Sequence, residues 1–288
     1  MPFFLFVLAL SFWQASDAVR FDADRAWNHL QRLVAIGPRP AGSAAIDQSR
    51  RYIREQLQAA GVSVTEQAWN DRTPLGPVRL VNLIATIPGS SKGRLVIAGH
   101  YDTKLIREFR FVGANDGGSS AAFLLELARV LKARRNALTI ELLFLDGEEA
   151  VVEWTADDHT YGSRHYVEVG KQDGSLASIK ALVLVDMIAD RDLRMKRESN
   201  STRWLTDIIW NAARRQKLGR HFDAEETPIE DDHIPFVDAG VPAVDLIDLE
   251  FDAWHTAGDT LEAVTARSLQ VVGDVLLSAL PDIEARVK

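Results

Sequence analysis

The segment Leu143-Phe144-Leu145-Asp146-Gly147-Glu148-Glu149 ends an apolar run in two adjacent carboxylates. A buried strand that delivers Glu-Glu at its carboxyl end can give a metal one ligand and leave the other carboxylate free to move a proton. Two further pieces, Gly113-Ala114-Asn115-Asp116-Gly117-Gly118 and Trp254-His255-Thr256, supply an Asp and a His in settings where each could be a ligand. With no cysteine in the chain, thiolate ligands, a thiol nucleophile and disulfides are all excluded. An Asp116, Glu149, His255 set made only of oxygen and nitrogen donors suits a catalytic zinc with an open fourth position.

Each of these residues also has a plain structural alternative. Asp116 stands just before a helix at Ser119 and could simply meet the helix dipole. Glu149 could be a surface carboxylate, and His255 a core histidine between Trp254 and Thr256. The metal reading gains because all three would have to fall at one edge of one sheet. Asp186 closes the otherwise apolar run Leu182-Val183-Leu184-Val185, so its carboxylate needs a buried partner: a second metal or a substrate amine. Asp231-Asp232-His233-Ile234-Pro235-Phe236 packs two acids and an imidazole into a loop that is either an exposed turn or part of a site. Trp154, Phe251 and Trp254 lie close in sequence to these groups and could wall a small apolar slot.

The elements that must position these residues can be read from periodicity. Apolar runs at Val62 to Trp69, Leu80 to Ile87, Leu95 to Ala98, Leu138 to Leu145, Ala181 to Asp186 and Ala243 to Ile247 predict six strands. Helical patterns cover Asp24 to Ile36, Ser43 to Ala60, Ser119 to Ala133, Gly162 to Val169, Ser201 to Lys217, and Thr265 to about Ile283. Such alternation predicts an α/β three-layer sandwich, with a central, mostly parallel six-stranded mixed sheet flanked by helices and its first strands antiparallel at an edge. In folds of this kind the ligand lies beyond the carboxyl ends of the strands. His100 and Asp102, Glu148 and Glu149, Asp186 and His255 all fall at or beyond such ends.

The 288 residues, 47% of them hydrophobic, suffice for a large core, and no linker divides residues 19–288, which are expected to form one catalytic domain. A formal net charge of -8 with scattered basic residues argues against a nucleic-acid partner. Pro2 to Trp13 is apolar but too short to span a bilayer, and small and polar residues follow it in Ala15-Ser16-Asp17-Ala18. Residues 1–18 therefore have the outline of a signal peptide, without a Lys or Arg ahead of the apolar stretch. Export to the periplasm or medium is expected, with an uncleaved membrane anchor as the alternative; once the leader is removed, no stable membrane span is expected.

Taken together, His100-Tyr101-Asp102-Thr103-Lys104, Phe111 to Asp116, Asp146-Gly147-Glu148-Glu149-Ala150, Tyr161-Gly162-Ser163-Arg164-His165, Asp231 to Phe236 and Trp254-His255-Thr256 resemble the animal-type glutaminyl-peptide cyclotransferases. Zinc aminopeptidases of the related M28 family share the His-x-Asp and Gly-Glu-Glu phrases and the fold, but not the Asp231 to Phe236 phrase or the Trp before the last His. The resemblance, which runs from about Asp24 to the carboxyl end, implies one zinc per chain held by Asp116, Glu149 and His255, and Glu148 as general acid/base; separately, a monomer is expected. It implies that Asp186 receives the substrate α-amine, that Asp231 belongs to an acidic hydrogen-bond network, and that Trp154, Phe251 and Trp254 shape the pocket. The implied reaction is cyclisation of an N-terminal glutamine of peptides or proteins, more slowly of glutamate, to pyroglutamate with release of ammonia from the glutamine.

This chain departs from the pattern at Asp245, where animal members carry a His in the strand before the final loop, and in a shorter loop, Asp248 to Ala253, that lacks their prolines. A second carboxylate beside Asp231 can stand in for an imidazole only if one of the two is protonated. A di-zinc aminopeptidase is the main alternative, with His100 and Asp186 holding a second metal. A non-catalytic peptide-binding protein is disfavoured, because Glu148 is needed for proton transfer and not for binding.

Overall fold

The computed structural model describes residues 20–287; the leader inferred from Pro2 to Trp13 lies outside them. A six-stranded sheet runs through the described residues in the order β1-β2-β4-β3-β5-β8. Its strands are β1 Ser63–Thr73, β2 Gly76–Ile87, β3 Ser91–His100, β4 Leu138–Leu145, β5 Ile179–Asp186 and β8 Ala243–Ile247. The first two form a hairpin, and β2 pairs antiparallel with β4; β3, β4, β5 and β8 are mutually parallel. All six predicted strands are present. A pair that the apolar pattern misses, β6 Met195–Glu198 with β7 Phe222–Thr227, forms a separate two-stranded sheet. Its strands are short and mostly polar, so neither has the hydrophobic run by which the others are read.

The parallel strands are buried on both faces, and the alternation of their side chains divides the core in two. Leu95, Ile97, Leu142, Phe144, Val183 and Val185 face one layer with α1 Ala23–Ile36, α3 Gly118–Ala133, α5 Arg203–Arg215 and α7 Ala266–Arg286. Val96, Ala98, Leu143, Leu145, Leu182 and Leu184 face the other, where α4 Tyr161–Asp173 and the short α6 Ile234–Asp238 contribute Tyr166, Val167 and Phe236. The remaining helix, α2 Ala44–Ala59, starts at Ser43, whose hydroxyl accepts the Ile46 N–H at 3.1 Å as an N-cap.

Parallel register brings four strand ends to one edge. His100 pairs with Leu145, so the last residue of β3 and the last residue of β4, which leads into Asp146-Gly147-Glu148-Glu149, lie side by side; Asp186 pairs with Ile247. Above that edge α3 starts directly over β3. Gly117, at φ 74°, makes the turn: a Cβ there would overlap the Asp102 carbonyl oxygen and crowd the His100 ring, so only glycine allows the approach.

Candidate active site

Asp116 reaches the site because Asp259 grips the loop before α3. The Asp259 carboxylate accepts the N–H of Asn115 at 2.7 Å and of Asp116 at 3.2 Å, while Asn115 Oδ1 accepts the Ala189 N–H at 2.8 Å. The Asp116 side chain does not cap the helix. It lies between two imidazoles, 3.2 Å from His100 Nε2 through Oδ1 and 3.3 Å from His255 Nε2 through Oδ2, and the buried Oδ2 has no well-formed hydrogen bond. Burial raises its pKa, but the two imidazoles outweigh this and hold it well below the usual carboxylate range.

The two glutamates point different ways from a turn clamped by Asp102. The Asp102 carboxylate, fully buried, accepts the Glu148 N–H at 3.2 Å and the Glu149 N–H at 3.4 Å. Glu149 Oε1 lies 3.4 Å from His255 Nε2 and accepts the Lys104 N–H at 3.1 Å. Donor atoms of Asp116, Glu149 and His255 all lie within 4.8 Å of one another. Glu148 is outside that group: its Oε2 sits 3.8 Å from His100 Nδ1. Burial raises the pKa of Glu148 well above normal, His100 opposes this, and Glu149, Asp231 and Asp232 add to it. Burial opposes charge on His255 as well, yet its hydrogen bonds to Asp116 and Glu149 and their charges raise its pKa to about 9.

These atoms fit a cation. Two carboxylates and an imidazole converge, one carboxylate oxygen is buried without another partner, and the imidazole is pulled toward protonation because a positive charge is wanted there. His255 itself sits in the left-handed region at φ 51°, as does Met187, at φ 46°, next to Asp186. Such backbone costs about 1–3 kcal/mol per residue and is typically retained where a site requires it. A second group, His100, Asp116 and Asp186, also converges, with His100 Nε2 3.1 Å from Asp186 Oδ1.

The predicted loop of Asp231, Asp232 and His233 is not an exposed turn; all three residues are buried. Asp231 shares the cavity with Asp116, Glu149 and His255 and faces Asp186; burial, then the Asp186 charge, raise its pKa to about 7. Behind it lies a relay that the sequence pattern did not reveal. His233 Nε2 is 3.0 Å from Glu198 Oε2, and Glu198 also accepts from the N–H groups of Asn200 and Ile229, the Asn200 side chain and the Ser201 hydroxyl. Burial raises the Glu198 pKa, but His233 and these donors bring it down to about 2. An ionised Glu198 only accepts, so His233 donates from Nε2, and its Nδ1 faces Asp245 Oδ2 at 3.8 Å. Asp231 Oδ2, both Asp245 oxygens and His233 Nδ1 are buried without hydrogen-bond partners. Burial, then the charges of Asp231, Asp186 and Glu198, raise the Asp245 pKa well above normal. A proton held within this crowd of carboxyl groups would relieve it, which is the condition for a carboxyl group to sit where an imidazole was expected. Only Glu198 at the end of β6 could have signalled the relay, and that strand is too short to read.

A cavity of about 560 Å³ opens above Asp116, Glu148, Glu149, Asp186, Asp231 and His255. Trp154 and Trp254 stand on its walls with Val152, Ile229 and Leu249. Phe251, expected as a third aromatic wall, does not line it. Its ring is 5% exposed and packs into the main core, bordering a separate cleft that Asp190, Arg194 and Asp248 also line. Proximity to His255 in sequence says nothing about which side of a loop a ring faces, and burial decided it.

The profile of Peptidase family M28 matches residues 82–280, a span that holds every one of these groups. A glutaminyl-peptide cyclotransferase-like protein from Mus musculus is 34% identical over 271 residues, covering 84% of this chain and 70% of its own length. The crystal structure of a glutaminyl cyclase from an Acidobacteriales bacterium is 37% identical, with a TM-score of 0.90 over 94% of this chain and 98% of that one. A leucine aminopeptidase precursor from Bacteroides thetaiotaomicron is 26% identical, with a TM-score of 0.83 over 92% and 98% of the two chains. The chain belongs to peptidase family M28 and, within it, to the glutaminyl-peptide cyclotransferases.

Proposed function

We propose that the protein cyclises the N-terminal glutamine of peptides and proteins to pyroglutamate, using one zinc ion held by Asp116, Glu149 and His255. The observation that carries the reading is that Glu148 is kept out of that ligand group while sharing its cavity with Asp186 and two indoles. Zinc in that position would polarise the side-chain carbonyl of the substrate and stabilise the charge that develops on its oxygen. The α-amine attacks the side-chain amide carbon of its own residue, so the nucleophile is intramolecular and the site has mainly to hold the ring-forming conformer. One carbon–nitrogen bond forms, the amide carbon–nitrogen bond breaks, and ammonia leaves.

Asp186, Oδ1 of which also accepts the Met187 N–H at 2.8 Å, accepts a hydrogen bond from the α-amine and orients it. Glu148 takes the proton that the attacking amine sheds and returns it to the departing nitrogen. Asp231, backed by Asp245 and the His233–Glu198 pair, keeps Asp186 in place. Trp154 and Trp254 exclude water and confine the side chain. N-terminal glutamate would react more slowly, because its side-chain carboxylate is ionised at neutral pH and is a far poorer electrophile than an amide carbonyl. Since the α-amine must be neutral to attack and its ordinary pKa is about 7.7–8.0, activity should rise toward mildly alkaline pH.

A second reading, a di-zinc aminopeptidase, has one observation in its favour: His100, Asp116 and Asp186 form a second metal-compatible group sharing Asp116 with the first. Mass spectrometry of a short Gln-initiated peptide, run with metal analysis of the enzyme, separates them. Loss of ammonia from an intact chain and one zinc per protein support the cyclase. Release of free glutamine with two zinc ions would support the peptidase and make His100 and Asp186 ligands. For localisation we infer export as a monomer with residues 1–18 as leader. Among the described residues no helix is long and apolar enough to cross a membrane.

A further inference from the structure

The segment between the ligand Glu149 and α4 is tied shut at its base. The Asp158 carboxylate accepts the N–H groups of Val151, Val152 and Glu153 at 3.0, 2.8 and 3.0 Å and the Tyr161 hydroxyl at 2.7 Å. Thr160, in the left-handed region at φ 47°, turns the chain into the helix. What this leaves at the tip is Trp154, 37% exposed, one of the two indoles on the substrate cavity.

One face of that indole lies flat on the imidazole of His159, with ring centroids 4.1 Å apart and an interplanar angle of 11°. His159 is only 5% exposed and is anchored in its turn, Nδ1 lying 3.0 Å from the Thr160 hydroxyl and Nε2 3.7 Å from Glu230. Beyond it is a second cavity, about 350 Å³, lined by His159, Arg164, Glu230, Asp231 and Pro235 among others. The imidazole thus borders both the Trp154 indole and this second cavity. Burial lowers its pKa, Glu230 and Asp158 oppose that and Arg164 assists it, so at neutral pH it stacks as a neutral ring.

We propose that His159 is a positioning residue that holds the Trp154 indole as a flat, fixed wall of the substrate cavity and so sets substrate affinity without touching the reacting atoms. Without the imidazole, the indole would have room behind it and more than one rotamer to adopt. An aromatic pair of this kind is worth enough that losing it should raise KM about three- to tenfold while leaving kcat within about twofold. A merely structural histidine would lower the melting temperature and leave KM alone. The substrate readout rests on the cyclase reading; the fluorescence readout below does not.

The test compares His159→Ala and His159→Phe with the unaltered zinc-loaded enzyme, reading steady-state kinetics on a Gln-initiated peptide and acrylamide quenching of Trp154. The Trp154 signal is isolated by subtracting a matched Trp154→Phe variant from each protein. His159→Ala should raise KM and make Trp154 more quenchable, and His159→Phe, which restores a flat ring, should reverse both. Unchanged quenching and KM in His159→Ala overturn the proposal, as does a fall in kcat alone or a failure of His159→Phe to rescue. If no variant, nor the unaltered enzyme, turns over Gln peptides, the cyclase reading fails, and the quenching pattern still decides whether His159 fixes the wall.

Discussion

Asp245→Asn is the most direct test of the buried acid cluster. The asparagine has the shape of a protonated aspartate and can donate as that form does, so the geometry beside Asp231 and His233 should survive. The difference lies in linkage to pH. In the unfolded chain Asp245 ionises at its ordinary pKa of about 3.9, whereas in the folded protein burial and three neighbouring carboxylates keep its proton on to far higher pH. A raised carboxyl pKa costs nothing below the unfolded value. Above it, the unfolded state gives up a proton that the folded state must keep, and the cost grows by about 1.4 kcal/mol per pH unit until the folded pKa is reached. At pH 7 the ceiling is therefore about 4 kcal/mol, and relaxation of the neighbours brings the expected value to about 1–3 kcal/mol. Asp245→Asn should match the parent protein near pH 4 and exceed it at pH 7 by that amount, read as urea midpoints at constant m-value across the pH range. Equal stabilities at pH 7, or a variant that is weaker at every pH, would refute a protonated Asp245. Retained cyclisation in the same variant would add that a neutral donor suffices behind Asp231.

Glu148→Gln should lower kcat by about 10²–10⁴-fold, the usual worth of a general acid/base, with metal content unchanged by elemental analysis. Loss of metal on that change would mean that the roles of the two glutamates are interchanged. Chelation should abolish activity, zinc should restore it, and the apo protein should melt about 5–10 °C lower in calorimetry, as expected for a ligand bound at about a hundred times its Kd. His29, whose Nδ1 is 2.7 Å from the Tyr52 hydroxyl, has its pKa lowered to about 4 by burial and Arg25. The unfolded chain takes up that proton first, so this site should cost the native state about 1–2 kcal/mol, discounted for partial exposure, as pH falls from about 6.5 to 4. His29→Gln should flatten the corresponding part of the stability curve, and an unchanged slope would show that His29 is not its source.

Five strands of the main sheet were legible as apolar runs bounded by turn residues, the mostly exposed β1 only through its scattered apolar residues, and the six longer helices because their apolar residues recur with helical period. Asp116 stood out in a Gly-rich loop before a helix and His255 beyond the last strand, whereas Glu148, Glu149 and Asp186 could be singled out for a related reason. In a parallel sheet every strand ends at the same edge, so polar residues that close apolar runs converge whatever the details of packing. Asp231 was legible as part of a dense polar phrase, but whether that phrase was buried was not.

What only the tertiary structure decided are the contacts made between distant segments and the direction in which loop side chains face. Phe251 and Trp254 are three residues apart, yet one is core and the other wall, because loop backbone has no fixed period to assign a side. Asp102 grips a turn 46 residues away through the Glu148 N–H, and Asp259 grips a loop 144 residues away through the Asn115 N–H. Glu198 reaches His233 across 35 residues from a strand of four. The residues proposed to carry the chemistry were legible from local pattern and strand order, whereas the groups that hold them, and the raised pKa of Asp245, depend on burial and on charges that meet only when the chain is folded.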